Sequence, residues 1–107
     1  MPIYMTARFR VAPDSVQPCL YAINDFVDYV KANEPGTIEY TSVQDFEDSF
    51  AFLNFFAFQD EAAEQIHRDS PGTQAFVEML YPLLEDDIIF QRWNAVASTL
   101  DSSLGSR

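Results

Sequence analysis

The chain is poor in the residues that build disulfides and metal centres. Its 107 residues include one cysteine, Cys19, and one histidine, His67. A lone thiol excludes an internal disulfide, and so few soft ligands do not make a zinc or iron–sulfur site. Glu64 and His67 have the Glu-x-x-His spacing of half a di-iron carboxylate motif, but the sequence has no second copy of it. We therefore expect no metal site.

Positive charge is also scarce. Six basic residues stand against seventeen acidic ones, which gives a net charge of −11. Nucleic-acid binding needs basic residues that displace condensed counterions, and anionic membranes attract the same residues. The sequence further lacks an apolar run near eighteen residues and a stretch resembling a signal peptide. We expect no nucleic-acid or membrane partner, and a cytoplasmic location.

Aromatic residues are abundant by contrast, at 15% of the chain with ten phenylalanines. They are densest in residues 49–58, whose alternation predicts a strand that is apolar on both faces. One face carries Phe50, Phe52, Asn54, Phe56 and Phe58, and the other carries Ala51, Leu53, Phe55 and Ala57. Such a strand is covered on both sides. We expect helices of the same chain on one side and a second subunit on the other.

The remaining elements follow from periodicity and breaker residues. Alternation predicts strands over 3–11, 37–46 and 86–98, and a hairpin joins the second strand to residues 49–58. Asp14-Ser15-Val16-Gln17 resembles a capping box for the first helix, which Glu34-Pro35-Gly36 ends because glycine accepts left-handed dihedrals. The apolar stripe of this helix is predicted at Val16, Leu20, Ile23, Val27 and Val30.

Two further helical segments lie between the third and fourth strands. Asp60 is predicted to cap a short helix, Ser70-Pro71-Gly72 breaks it, and a second segment ends near Pro82. The whole order predicts one domain, 1–107, with its core at 3–98 and a polar tail at 101–107. Its fold class is α+β, a ferredoxin-like split βαβ with a four-stranded antiparallel sheet and helices on one face.

Several separated motifs resemble the antibiotic biosynthesis monooxygenase superfamily, over Ile3 to about Ser98. They are Glu34-Pro35-Gly36-Thr37, Tyr40, the 60–67 helix DEAAEQIH, Ser70, Phe76, Leu80 and Pro82. The resemblance implies a homodimeric α/β barrel joined through its sheet faces, with a pocket between sheet and helices in each subunit. It also implies a cofactor-free oxygenase that acts on phenolic polyketides or quinols. Haem-degrading relatives carry an asparagine early in strand one, where this chain has Tyr4, Met5 and Thr6. This difference disfavours haem degradation.

Two polar residues beside the aromatic strand are the candidate catalytic groups. His67 is the natural general base, because imidazole is the side chain that ordinarily exchanges protons near neutral pH. In a cofactor-free oxygenase, removing a phenolic proton makes an electron-rich anion that can reduce oxygen. We expect His67 at the pocket rim with Ala63 and Ile66 facing inward; the alternative is a structural hydrogen bond at a helix end. Asn54 either donates its amide N–H to a substrate oxyanion or bonds a neighbouring strand or a buried water.

The candidate substrate-binding residues are aromatic: Tyr40, Trp93, Phe52 and Phe56. They would stack on a flat substrate, although ordinary packing explains them too. The leading hypothesis is a cofactor-independent monooxygenase that acts on an aromatic phenol or quinol, with a small aromatic molecule as its substrate. The alternative is a small-molecule-binding or structural dimer without catalytic activity.

Overall fold

The structure is a computed structural model that describes residues 2–100. The strands β1 (Ile3–Arg10), β2 (Thr37–Gln44), β3 (Ala51–Phe58) and β4 (Ile89–Trp93) form one antiparallel sheet in the order β2-β3-β1-β4. The helices are α1 (Val16–Asn33), α2 (Glu61–Asp69) and α3 (Pro71–Leu80), with 3₁₀ turns at Pro13–Ser15 and Tyr81–Leu83. The predicted ferredoxin-like α+β fold is confirmed.

All three helices cover the same face of the sheet. Alternate residues of β1 and β3 point toward them, and these side chains are buried: Ile3, Ala7, Phe9, Phe52, Asn54, Phe56 and Phe58. Each fully buried phenylalanine contributes about 1.5–3 kcal/mol to folding. The aromatic strand therefore forms the centre of the core, as its alternation predicts.

Helix α1 buries a face that is rotated from the predicted stripe. Its buried residues are Cys19, Ala22, Ile23, Phe26 and Val30, whereas Val16, Leu20 and Val27 are only partly buried. Burial raises the pKa of the Cys19 thiol to about 11, so this thiol is inert at neutral pH. The predicted capping box is wrong, because Asp14 lies in a 3₁₀ turn and accepts from the Ser15 hydroxyl at 3.3 Å, and the side chain of Ser15 makes no cap hydrogen bond.

The end of α1 corrects the expected role of Gly36. Among the residues that the structure describes, no glycine has a positive φ, so a left-handed conformation is not the reason for this residue. A Cβ on Gly36 would lie 2.6 Å from the Cβ of Ala63 in α2. The glycine is needed because the start of β2 and helix α2 approach this closely.

The two helix boundaries between β3 and β4 are confirmed. The Asp60 carboxylate accepts a hydrogen bond from the backbone N–H of Ala63 at 2.8 Å, which caps α2. The hydroxyl of Ser70 accepts one from the N–H of Thr73 at 3.0 Å, which caps α3. The break at Ser70-Pro71 therefore separates two capped helices.

The last strand is shorter than the predicted 86–98. Only Ile89–Trp93 pairs with β1, and Trp93 lies opposite Tyr4 near the beginning of that strand. The partner strand begins at Ile3, and Pro2 before it has no backbone N–H to donate. Strands β2 and β3 are also shorter than predicted, by two residues each. The predicted tail, 101–107, lies outside the described residues.

The sheet face that points away from the helices is partly open and carries apolar side chains beside exposed polar ones, Arg8, Glu39 and Gln91. Val43, Ile89 and Trp93 are 49%, 56% and 44% exposed on it, and the rings of Tyr4 and Phe55 stack at 6.0 Å. We call this surface the outer face. Within residues 2–100, no helix combines the length and the apolar character that a membrane span requires.

Candidate functional site

Two adjacent cavities lie between the sheet and the helices α2 and α3. The inner cavity, of about 80 Å³, is lined by residues that include Ala7, Phe26, Tyr40, Asn54, Phe76 and Leu80. The outer cavity, of about 360 Å³, is lined by Met5, Phe58, Glu64 and Arg68. Both are also lined by Phe56, His67, Thr73 and Phe90, which places the cavities side by side.

His67 stands at the boundary between the two cavities. Helix α2 puts Ala63 and His67 one turn apart on its buried face, and His67 is only 8% exposed. The expected inward orientation of Ile66 is wrong, since that side chain is 61% exposed. Four aromatic rings surround the imidazole, with centroids 5.1–5.8 Å away: Phe26, Tyr40, Phe56 and Phe58.

The imidazole is held by a carboxylate that the sequence did not single out. Nδ1 of His67 lies 2.7 Å from Oε1 of Glu34, and the hydroxyl of Thr37 donates to the same oxygen at 3.0 Å. Glu34 is 4% exposed, and its Oε2 accepts no hydrogen bond from any residue in 2–100. The sequence offers only an indirect signal for it, since Glu34 directly follows α1, four residues after Val30 of the predicted apolar stripe.

Asn54 is fully buried on β3, and its amide is engaged by the neighbouring strand. Its oxygen accepts a hydrogen bond from the hydroxyl of Ser42 at 2.5 Å, and its nitrogen donates to the phenol oxygen of Tyr40 at 3.0 Å. This is the cross-strand pairing that the structural interpretation of Asn54 predicts. The amide nitrogen carries two hydrogens, so a second N–H remains for a ligand in the inner cavity.

Tyr40 joins the same cluster from β2. Burial raises the pKa of its phenol far above the usual range, the Asn54 hydrogen bond lowers it by less, and the nearby Glu34 carboxylate raises it by the smallest amount. Tyr40 therefore stays protonated. Since its oxygen accepts from Asn54, its own proton can be donated to a ligand in the inner cavity.

The structure separates the other predicted substrate-binding residues. Phe56 lines both cavities, whereas Phe52 stacks on Phe9 at 5.5 Å in the core and lines neither. Trp93 lies on the outer face, where its indole N–H donates to the hydroxyl of Thr6 at 2.8 Å. The expectation that Trp93 and Phe52 line the same pocket as His67 is therefore corrected. Phe26, Phe58 and Phe90 form aromatic walls that the sequence analysis did not assign.

Metal binding gains no support from the described residues. Within 2–100, no three histidine, cysteine, aspartate or glutamate side chains are grouped closely enough to hold an ion. The Glu64 carboxylate instead pairs with the guanidinium of Arg68 at 2.7 Å at the edge of the outer cavity.

The fold and these cavities define an α+β protein with small, aromatic-lined cavities under its helices. The profile of the antibiotic biosynthesis monooxygenase family matches residues 2–79, and the chain belongs to this family. The resemblance inferred from the sequence motifs is confirmed. No curated protein matches the chain significantly.

Solved structures show the same fold at low sequence identity. A protein described as an antibiotic biosynthesis monooxygenase superposes with a TM-score of 0.81 at 20% identity, covering 89% of this chain and 99% of its own. The protein Rv0793 from Mycobacterium tuberculosis gives 0.84 at 17% identity, covering 94% and 100%. The protein PA3566 from Pseudomonas aeruginosa gives 0.81 at 22% identity, covering 90% and 95%. The chain spans nearly the full length of each.

Proposed function

We propose that the protein is a cofactor-independent monooxygenase that acts on an aromatic phenol or quinol. The observation that carries the proposal is the position of His67. It is a buried imidazole that lines both cavities, surrounded by aromatic rings, with Nδ1 occupied by Glu34 and Nε2 left for a ligand. Membership of the monooxygenase family supports the reaction type.

The proposed chemistry begins with transfer of a phenolic proton to Nε2 of His67. The resulting phenolate gives one electron to O₂, and the ring radical and superoxide combine into a peroxide on a ring carbon. Cleavage of the O–O bond with loss of water leaves a new carbonyl, and His67 returns its proton to the departing oxygen. For a hydroquinone the balance is quinol plus O₂ to hydroxyquinone plus water, so the substrate supplies all the electrons.

The shape and polarity of the pocket support a flat, largely apolar substrate. The outer cavity of about 360 Å³ is near the lower end of the size range of small-ligand sites. Its walls include Phe56, Phe58 and Phe90, which offer ring faces and edges for stacking. A substrate of one or two fused rings would fit there with one oxygen toward the inner cavity.

The inner cavity offers donors for the oxygen that loses its proton. Asn54, whose amide nitrogen carries a second N–H, and Tyr40 both line that cavity, and Tyr40 stays protonated because burial disfavours its anion. Donors fixed in a buried site stabilise a developing oxyanion without reorganising. We therefore assign Asn54 and Tyr40 to phenolate binding and His67 to proton transfer.

We also propose that the protein is a homodimer joined through the outer faces of two sheets. Val43, Ile89 and Trp93 leave an apolar surface that a second sheet would cover. Face-to-face packing of two such sheets closes the dimeric α/β barrel that the family resemblance implies.

The test is oxygen consumption by the purified protein with juglone-type quinols. Wild type should consume one O₂ per quinol, and His67→Ala should reduce kcat by about 10²–10⁴-fold, which is the usual contribution of a general base. Ile66→Ala is the matched control, because Ile66 is the adjacent residue of α2 but points outward. Equal rates for wild type and His67→Ala would refute the mechanism.

The same samples separate the alternatives. Tight quinol binding without oxygen consumption would identify a small-molecule-binding protein, and no binding would favour a structural role. A Soret band on titration with haem would instead point to haem chemistry.

A further inference from the structure

Glu34 is a buried acid that the reaction proposed above leaves without a role. It is 4% exposed, and two polar groups face its Oε1: the Thr37 hydroxyl, which donates at 3.0 Å, and Nδ1 of His67 at 2.7 Å. An ionised carboxylate offers only acceptors, which suits the hydroxyl donor on Oε1. Because a carboxylate can only accept, the hydrogen between the two side chains belongs to Nδ1.

This hydrogen bond determines the tautomer of the neutral imidazole. With the proton on Nδ1, the lone pair of Nε2 is free to accept a proton. A protonated Glu34 would do the opposite, since it would donate to Nδ1 and leave Nε2–H as a donor. The contact with Glu34 therefore decides whether His67 is a base or an acid toward a ligand.

The second carboxylate oxygen adds an independent observation. Oε2 of Glu34 is buried and takes no hydrogen bond from residues 2–100. A buried anion that is only half satisfied is stabilised when a positive charge forms beside it. Proton uptake at Nε2 creates that charge, because the imidazolium and the Glu34 carboxylate are then an ion pair.

We infer that Glu34 is the positioning residue of this site: it holds His67 in the Nδ1–H tautomer and stabilises the imidazolium after the substrate has given up its proton. The inference rests on the proposed function for its role in turnover. During the step, the substrate proton moves to Nε2, Nδ1 keeps its hydrogen, and Glu34 stays ionised throughout.

The tautomer can be measured without substrate. His67 is the only histidine, so a long-range ¹H–¹⁵N correlation spectrum of the uniformly labelled protein shows a single imidazole. In its neutral form, the imidazole of the wild type should show a protonated Nδ1 and an unprotonated Nε2. An unprotonated Nδ1 in wild type would overturn the inference, and this measurement needs no substitution that could disturb folding.

Variants then test the cause of that preference. Glu34→Leu should lose the preference of His67 for the Nδ1–H tautomer and shift its imidazole signals toward the Nε2–H form. Thr37→Val removes only the hydroxyl that donates to Glu34, so it should keep the wild-type pattern. With an active quinol, Glu34→Leu should lower kcat by about 10–100-fold with little change in KM, as loss of an orienting partner usually does. Glu34→Asp should restore part of the rate.

Failure of the two proposals can be told apart. An Nδ1–H tautomer in a protein that consumes no oxygen would refute the oxygenase and keep the structural assignment of Glu34. Oxygen consumption that depends on His67, with the tautomer unchanged in Glu34→Leu, would keep the oxygenase and refute the role of Glu34.

Discussion

Asn54 joins two strands and borders the inner cavity at the same time. Its oxygen accepts from Ser42 and its nitrogen donates to Tyr40, so the amide is part of the sheet and part of the candidate site. The structural and the catalytic interpretation are therefore compatible for this residue. They predict different consequences for stability and for rate.

Replacing Asn54 by leucine should affect both properties. Asn54→Leu leaves the hydroxyls of Ser42 and Tyr40 without their partner, which should lower the free energy of unfolding by about 1–3 kcal/mol. It also removes an oxyanion donor, so kcat with quinol should fall by about 10²–10³-fold. Urea denaturation and oxygen uptake measure the two effects.

Ser42→Ala is the matched control for that variant. It removes only the hydrogen bond that the Ser42 hydroxyl donates to the oxygen of Asn54, and Ser42 lines neither cavity. Stability should fall by about 0.5–1.5 kcal/mol while kcat stays near wild type. A rate loss as large as that of Asn54→Leu would show that Asn54 acts only through the sheet.

At this scale the sequence identifies lone polar residues better than their partners. Asn54 interrupts an apolar strand and His67 is the single histidine, so both stand out without a structure. Glu34 does not, because its contact with His67 joins residues 33 positions apart. Trp93 is the opposite case, since an aromatic residue in an edge strand gives no sign of which face it occupies.

Among the elements, the segment after α1 and helix α2 are held together by two successive contacts. Gly36 lies against Ala63, and Glu34 bonds His67, which follows Ala63 by one helical turn. The backbone N–H of Gln59 also donates to the carbonyl of Gly36 at 2.9 Å. We therefore expect the close approach at Gly36 to set the distance between the Glu34 carboxylate and the imidazole of His67.

A methyl group at Gly36 should disturb this arrangement. Gly36→Ala places a Cβ 2.6 Å from the Cβ of Ala63, and neither atom is at the end of a flexible chain, so α2 must move. We expect a loss of about 1–3 kcal/mol in unfolding free energy, typical of overpacking, together with a lower kcat. Gly72→Ala is the control, because its Cβ would meet the ring of Tyr29, which lines neither cavity.

The two glycine variants should therefore differ in one respect. Both should unfold at lower denaturant concentration, but only Gly36→Ala should also weaken the Nδ1–H preference of His67. An unchanged imidazole spectrum in Gly36→Ala would show that the packing of α2 on Gly36 does not control the Glu34 contact.

Element types follow from the sequence more readily than element limits. Periods of two and of three to four residues identify β1, β3 and α1, because these elements bury one face at those intervals. The length of β4 could not be read in this way, since an edge strand extends only as far as its partner β1 can pair. The rotated face of α1 has a similar cause, because neighbouring apolar residues such as Phe26 and Val27 compete for the core.

At the scale of the whole molecule, we predict that the protein is a dimer. Sedimentation equilibrium at micromolar concentration should give twice the chain mass of 12.2 kDa. Ile89→Lys places a charge on the outer face and should yield monomers, whereas Ile66→Lys, an equally exposed position on the helix side, should leave the dimer intact. A wild-type monomer would contradict the proposal.

The separation of the cavities from the outer face by the sheet predicts how the two sites of a dimer would bind substrate. The described residues of both cavities come from a single chain and lie on the helix side, while the proposed contact between subunits uses the outer face. In such a dimer the two sites would point away from each other with a full sheet layer between them. Titration with substrate should then follow a simple hyperbola with a Hill coefficient near one, because neither site has a moving part in common with the other.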